Sequence, residues 1–294
     1  MAGKSAVRPD VGVGAALGAV ARDTLSEARA VLDDKQRPDA VAVHDLRKAL
    51  KRWRALLRLL EPFLGDDPRR LRTEARDLAR ELAGARDAQS AIDALDDLTE
   101  SGGPLSPRTR ASIRRRLDAI RLSAEALSIN EADRERLRVT LDAAGVSVNA
   151  WNLEKLTFAG LARELARTYE RLRESSPKDW AKAEPNTLHD LRSLVVAHRY
   201  QMELVEPLWP KFGKLWVAEA QRLRDRLGAF QDLSVLRGFT VPHGVLAPWR
   251  ARLTPLILAR QEKHAKAAQR LGNRLLAERP KAFRRRLEAL WARG

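Results

Sequence analysis

Cysteine is absent from this chain of 294 residues, which excludes a disulfide framework, a thiolate nucleophile and a cysteine-ligated metal. Aromatic residues make up only 5% of the sequence, so few side chains are available to stack on the bases of single-stranded nucleic acids. Long apolar runs are also missing. The most apolar N-terminal stretch, residues 11–20, is short and rich in glycine, so we expect neither a signal peptide nor a transmembrane helix, and no membrane partner.

Basic residues outnumber acidic ones by a wide margin. The chain has 55 Lys and Arg against 39 Asp and Glu, which gives a formal net charge of +16, and 44% of its residues are hydrophobic. The hydrophobic content is sufficient for a folded core. The positive charge predicts a polyanionic partner, and arginine, the commoner of the two basic residues, suits phosphate because its guanidinium group can make two parallel hydrogen bonds.

Alanine, leucine, arginine and glutamate dominate the sequence, and no long stretch alternates with the period-two pattern of a strand. This composition predicts an all-α fold. Proline and glycine mark the ends of the predicted helices, because proline fits a first helical turn and glycine follows a last one. The predicted helices cover residues 11–33, 38–62, 68–83, 87–98, 107–144 with an interruption near 130, 248–277 and 280–291, and residues 145–152 form the predicted linker.

The stretch from Val43 to Pro62 carries an apolar and a basic helical stripe side by side. The apolar stripe consists of Val43, Leu46, Leu50, Trp53, Leu57 and Leu60. Each residue of the basic stripe directly follows a residue of the apolar stripe, and the basic stripe consists of His44, Arg47, Lys51, Arg54 and Arg58. A solvated helix face usually mixes charges of both signs, because like charges four residues apart repel each other. The basic stripe therefore predicts a groove or cavity that holds an anion, with an arginine-rich solvated face as the alternative.

Basic residues border the apolar positions of a second predicted helix and recur at helical spacing in a third. They are Arg69, Arg72 and Arg76 in the helix that follows, and Lys263 and Arg270 in the long helix near the C-terminus. We include Arg72, Arg76, Lys263 and Arg270 among the predicted anion-binding residues.

The second half of the chain repeats the first. An offset of 145 residues aligns 188–232 with 43–87 without a gap and with 13 identities in 45 positions, which predicts an internal duplication with halves 1–144 and 145–294. The second basic stripe keeps only His189, Arg192 and Arg199, because Val196 replaces Lys51 and Glu203 replaces Arg58. We therefore expect the first half to bind anions more strongly.

These motifs resemble the CHAD domain, a family named for a conserved histidine in an α-helical domain. The first half has His44-x-x-Arg47 followed by further basic residues, and the second has His189-x-x-Arg192 and then Arg199-Tyr200-x-x-Glu203. The resemblance runs from about residue 11 to the C-terminus. It implies two helical bundles related by a pseudo-twofold axis, with basic residues converging on a central cavity that binds inorganic polyphosphate. Some members sit on polyphosphate granules; others accompany a triphosphate-cleaving domain, for which we expect no segment here.

An enzymatic interpretation rests on the pairs His44-Asp45 and His189-Asp190, which could indicate a metal phosphohydrolase. That chemistry needs an additional upstream histidine, and no histidine precedes residue 44. Adjacent residues also point about 100° apart on a helix, so such a pair is a poor chelate. No glycine-rich phosphate loop is visible either. We therefore predict a protein without catalytic residues, metal ligands or cofactors, in which the two histidines either contact the anion or serve as boundary residues of the core.

The sequence thus predicts an all-α, non-enzymatic protein that binds polyphosphate in a basic cavity, in the cytoplasm, where it would occupy polyphosphate granules. The predicted binding residues are His44, Arg47, Lys51, Arg54, Arg58, Arg72, Arg76, His189, Arg192, Arg199, Lys263 and Arg270. Two alternatives satisfy the same electrostatics: a nucleic-acid-binding protein, and a helical adaptor whose basic face docks an acidic protein. The oligomeric state is not predicted.

Overall fold

A computed structural model describes residues 5–82, 86–100, 105–125 and 130–294, and within these ranges the fold is all helical, as predicted. The α-helices are α1 (Val13–Asp33), α2 (Asp39–Leu64), α3 (Asp66–Glu81), α4 (Arg86–Glu100), α5 (Pro107–Glu125), α6 (Glu131–Ala150), α7 (Phe158–Glu174), α8 (Pro185–Val205), α9 (Pro210–Gly238), α10 (Arg250–Leu275) and α11 (Pro280–Trp291). Short 3-10 turns at Glu206–Leu208 and Ala247–Trp249 precede α9 and α10.

Local sequence accounts for most helix ends. Asn130 caps α6, with the backbone N–H of Asp133 donating to its side chain at 2.8 Å, which explains the predicted interruption there. The predicted linker is largely wrong, because α6 continues through residues 145–150 and leaves only 151–157 outside a helix. Gly145 does not end α6, since a single glycine in a helix costs only about 1 kcal/mol relative to alanine. The predicted helix end at 83 lies outside the described residues.

Helix α2 occupies a central position. Its neighbours are α1, α3, α7 and α8, and successive contacts of α3 with α2, α2 with α8, α8 with α9 and α9 with α10 form a continuous series. The predicted apolar stripe of α2 is confirmed at five of its six positions, because Leu46, Leu50, Trp53, Leu57 and Leu60 are all buried in the main hydrophobic cluster. Val43, at the start of the stripe, is only half-buried. Burying each of these five side chains contributes about 1.5–3 kcal/mol, which fixes the orientation of α2 and hence of its basic stripe.

A second hydrophobic cluster joins helices from both halves of the sequence. Ile92 and Leu95 of α4 and Leu117 of α5 pack against Leu233 of α9 and Leu253 of α10. The main cluster likewise draws on helices from both halves. The two halves of the sequence are therefore not separate packing units. The division at residue 145 remains a prediction about how the chain arose by duplication.

Helices α2 and α8 meet at positions related by the 145-residue offset. Ala55 of α2 packs with Ala197 and Tyr200 of α8, and Tyr200 is the counterpart of Ala55. The side-chain amide of Gln201 donates to the carbonyl of Ala55 at 3.3 Å. Contact between equivalent positions is what a twofold axis between two repeats would produce, although the duplication itself remains a prediction.

Candidate functional site

Helices α2 and α3 form an antiparallel hairpin that brings two sets of basic residues together. The chain reverses at Gly65, which has a positive φ of 70°, a conformation that glycine adopts without strain. Near the turn, Arg72 of α3 pairs with Glu61 of α2 at 2.8 Å. At the far end, Arg47 of α2 donates to the carbonyl oxygens of Ala79 and Leu82 at 2.8 and 2.9 Å.

Between these two ends lies what we call the arginine cluster. It consists of Arg54 and Arg58 on α2, Arg72, Arg76 and Arg80 on α3, and Arg171 on α7. Burial lowers the pKa of Arg54, and the charges of Arg72, Arg76 and Arg80 lower it further. Burial also lowers the pKa of Arg58, followed by the charges of Arg72, Arg171 and Arg54. The neighbouring guanidinium groups therefore disfavour the charged forms of Arg54 and Arg58, which a bound anion would reverse.

Two carboxylates neutralise the arginine cluster only in part. Glu61 pairs with Arg72, while Asp77 lies 2.9 Å from Arg76 and 3.6 Å from Arg80. The side chains of Arg72, Arg76 and Arg80 retain 27, 44 and 72% of their exposure, so a solute can reach them. The arrangement can therefore bind an anion that bears several negative charges, since each guanidinium group can make paired hydrogen bonds to phosphate oxygens.

The remaining residues of the first basic stripe have different environments. Arg47 joins the carbonyls at the end of α3 and thereby holds the hairpin together. Lys51 is half-buried between Arg47 and Arg54 along α2, and His44 is exposed near the start of α2. His189, its counterpart on α8, is also exposed, so neither histidine belongs to the hydrophobic core.

The second basic stripe is engaged in internal contacts. Arg199 pairs with Glu203 at 2.8 Å and lies over the ring of Tyr200, with 4.4 Å between its guanidinium carbon and the ring centroid. Arg192 packs across Gly228 of α9, where a methyl group in place of the glycine hydrogen would lie 3.5 Å from its guanidinium group. The weaker anion binding expected of the second stripe remains a prediction.

Arg192 also lines a pocket of about 220 Å³ between α4, α8 and α9. The charged residues of its lining are Asp93, Asp97, Asp225 and Asp232 together with Arg192 and Arg224. This pocket differs from the basic cavity that the resemblance implies, because four carboxylates line it against two guanidinium groups. It lacks the positive excess that an anion would require.

Lys263 and Arg270 are exposed on α10, which packs on α9 and touches α4. In the series of helix contacts, α8 and α9 separate α10 from α2. The helix of these two residues therefore contributes no member of the arginine cluster, although the sequence placed them in the same predicted site.

Two members of the arginine cluster were not predicted from the sequence. Arg80 continues the spacing of Arg72 and Arg76 by one more helical turn, and Arg171 is the last of three exposed arginines, with Arg163 and Arg167, that recur four residues apart on α7. A search for basic stripes at a spacing of four would have found both, but which stripes meet depends on how the helices pack.

Two features are absent from the described part of the chain. None of its helices is long and apolar enough to cross a membrane. It also contains no group of three or more His, Asp or Glu side chains positioned to hold a metal ion.

Comparison with known proteins agrees with the helical architecture. The CHAD domain model matches residues 15–240 of this chain. The solved structure of PptA from Streptomyces chartreusis superposes with a TM-score of 0.61 over 90% of this chain and 99% of that chain, at 18% sequence identity, a likeness that concerns the fold. No match was found among curated proteins. With most of its length covered by the family model, this chain belongs to the CHAD-domain family.

Proposed function

We propose that this protein binds inorganic polyphosphate at the arginine cluster and does not cleave it. The observation that carries the proposal is the convergence of six arginines from three helices. The pKa values of two of these arginines, Arg54 and Arg58, are lowered by burial and by neighbouring arginines. Polyphosphate binding is also what the CHAD resemblance implies. His44 and Lys51 extend the same stripe along α2 and would contact the chain beyond the cluster.

The spacing of the arginines suits a linear ligand with a charge on every unit. Arg72, Arg76 and Arg80 follow one another on α3 at intervals of about 6 Å along the helix axis, given 1.5 Å per residue. A single phosphate could relieve the repulsion of one or two guanidinium groups, whereas a polyphosphate chain could follow the hairpin and neutralise several. The association cost is then met once for several contacts.

A charge-matched pair of variants tests the position of the site. Arg54→Gln with Arg76→Gln should weaken polyphosphate binding at least about tenfold, the loss expected when roughly 1.4 kcal/mol of contacts is removed. The control is Arg279→Gln with Arg285→Gln, two exposed positions near α11 where the same loss of charge should change affinity less than about twofold. Equal losses in both variants would mean that net charge alone drives binding, which would overturn the proposed site.

The absence of catalysis is tested separately. Wild-type protein incubated with polyphosphate, with and without divalent cations, should release no inorganic phosphate and leave the chain-length distribution unchanged. Shortening of the chains by the wild type, and its loss in the Arg54→Gln, Arg76→Gln variant, would overturn the non-catalytic part of the proposal.

A further inference from the structure

A second concentration of basic side chains lies on α9 and α10, outside the arginine cluster. We call it the α9–α10 track, and it consists of Arg222 and Arg226 on α9 and Lys263, Lys266, Arg270 and Arg274 on α10. All six side chains are exposed. The residues recur three or four positions apart on each helix, so each set lies along one helix face.

A contact between the two helices links the two sets of residues at one end. Glu219 of α9 pairs with Arg222 on its own helix at 2.6 Å and lies 3.6 Å from Arg274 of α10. Further along, Gln261 of α10 donates to Ser234 of α9 at 2.8 Å, so the helices run antiparallel. Arg226 lies one helical turn after Arg222, and Arg270 lies one turn before Arg274. Because the helices are antiparallel, Arg226 and Arg270 are therefore at about the same level along the helix pair.

The charges of the α9–α10 track are mostly uncompensated. Glu219 partly neutralises Arg222 and Arg274, and Glu262 pairs with Lys266 at 2.5 Å. Two carboxylates thus pair with members of a set of six cations. A solvated surface normally intersperses the two signs, because neighbouring like charges repel by a few tenths of a kcal/mol each. The arrangement gives a binding surface for a flexible polyanion.

The α9–α10 track is separate from the arginine cluster. In the series of helix contacts, α2 meets α8, α8 meets α9 and α9 meets α10. The arginine cluster lies on α2, α3 and α7, so the two sets of basic residues share no helix. Four of the six residues also lie on α10, which begins at Arg250, beyond the stretch matched by the family model.

We propose that the α9–α10 track is a second, independent site for the phosphate groups of polyphosphate, so that one protein molecule holds two segments of chain. The inference rests on the proposed function for the identity of the ligand. Two sites on one molecule would raise the affinity for a chain long enough to span them, because binding at one site raises the local concentration of chain at the other. They would also allow one protein molecule to join two chains.

Titration calorimetry with a size-fractionated polyphosphate too short to span both sites tests the proposal. We expect two chains per wild-type molecule, and one chain for Arg226→Gln with Arg270→Gln and for Arg54→Gln with Arg76→Gln. The matched control, Arg108→Gln with Arg115→Gln, changes two exposed arginines of α5 and should still bind two. With long polyphosphate, light scattering should show larger assemblies for the wild type than for either single-site variant.

The outcomes separate the two proposals. One chain per wild-type molecule, retained by the Arg226→Gln, Arg270→Gln variant and lost by the Arg54→Gln, Arg76→Gln variant, would overturn the second site and leave the proposed function intact. The reverse pattern would overturn the arginine cluster as a site and retain the α9–α10 track. No binding by the wild type would overturn both.

Discussion

Arg47 and Arg54 belong to the same basic stripe of α2, yet their guanidinium groups have different environments. Arg47 donates to two carbonyl oxygens at the end of α3, where the last turn of a helix has no intrahelical donors for its carbonyls. Arg54 faces three arginines of α3. Spacing along one helix cannot distinguish these roles, because the difference is made by which residues of a second helix lie opposite.

These environments predict opposite effects on stability. Arg47→Met should lower the free energy of unfolding by about 1–3 kcal/mol, because two partly buried carbonyl acceptors lose a charged donor. Arg54→Met should leave stability unchanged or raise it, because it removes a partly desolvated charge from among like charges, while polyphosphate affinity falls. Urea unfolding and binding measurements on both variants test this. A larger loss of stability in Arg54→Met than in Arg47→Met would contradict it.

His198 is the residue at which pH should affect stability most clearly. Its position in the repeat corresponds to Trp53, and the interpretation of it as a packed residue is confirmed, since it is 1% exposed and its Nε2 accepts the indole N–H of Trp216 at 2.9 Å. Burial first, and the charge of Arg286 second, lower the pKa of His198 to about 3. In the folded protein the imidazole is therefore neutral throughout the mildly acidic range.

Because the folded pKa lies below the ordinary value of about 6.5, the unfolded chain takes up this proton first as the pH falls. The stability that the neutral ring contributes is present above pH 6.5 and is lost progressively toward pH 3. Between pH 6.5 and 4.5 the loss should amount to about 2 kcal/mol. Denaturant unfolding at several pH values should show this slope in the wild type and a shallower one in His198→Gln. Identical slopes would contradict it.

At the scale of elements, α4 is attached to the second half of the chain by one carboxylate as well as by its apolar face. Asp97 accepts hydrogen bonds from Arg260 of α10 at 2.5 and 2.8 Å, and one of its oxygens lies 2.9 Å from Nε2 of His264. Burial alone would raise the pKa of Asp97, but the hydrogen bonds from Arg260 and His264 hold it well below its usual range. Asp97 is therefore charged at neutral pH.

Asp97→Asn should loosen α4 from α10. The arginine side chain is only 16% exposed, so removal of the negative charge leaves Arg260 largely desolvated without its carboxylate. We expect a loss of about 2 kcal/mol, below the range for fully buried pairs because Asp97 retains 23% of its exposure. Hydrogen exchange should quicken in α4 more than in α2. Asp93→Asn, an exposed position on the same helix, is the control, and equal effects would contradict the assignment.

Particular elements show what the sequence could and could not predict. The apolar stripe of α2 was predictable because helix periodicity alone decides which face is buried. The docking of α4 and α5 on α9 and α10 was not, because it joins residues more than 100 positions apart that share only their apolar character. The same limit applies to the binding residues: Arg54, Arg58, Arg72 and Arg76 converge, whereas Lys263 and Arg270 lie on α10, which packs on α9.

For the whole molecule, the net charge of +16 alone would attract any polyanion, so selectivity must come from the form of the basic surface. Basic side chains lie in lines along helices, at the arginine cluster and on the α9–α10 track, where a thin flexible chain can follow them. Duplex nucleic acid is stiff and presents its phosphates on a wide cylinder. Single strands gain affinity from stacking, and Trp209, at 49% exposure, is the one strongly exposed aromatic side chain in the described ranges.

We therefore expect long polyphosphate to bind far more tightly than tripolyphosphate, and affinity to fall steeply as salt rises, because each neutralised phosphate releases counterions. At equal phosphate concentration in physiological salt, neither duplex DNA nor RNA should displace labelled long-chain polyphosphate in a fluorescence anisotropy competition. Tripolyphosphate should displace it poorly, since each short chain must meet the full cost of association for few contacts. Efficient displacement by RNA or DNA would instead make nucleic acid the ligand of the same basic surface. Such a result would show that electrostatic attraction is sufficient for binding and that the ligand need not be a thin chain.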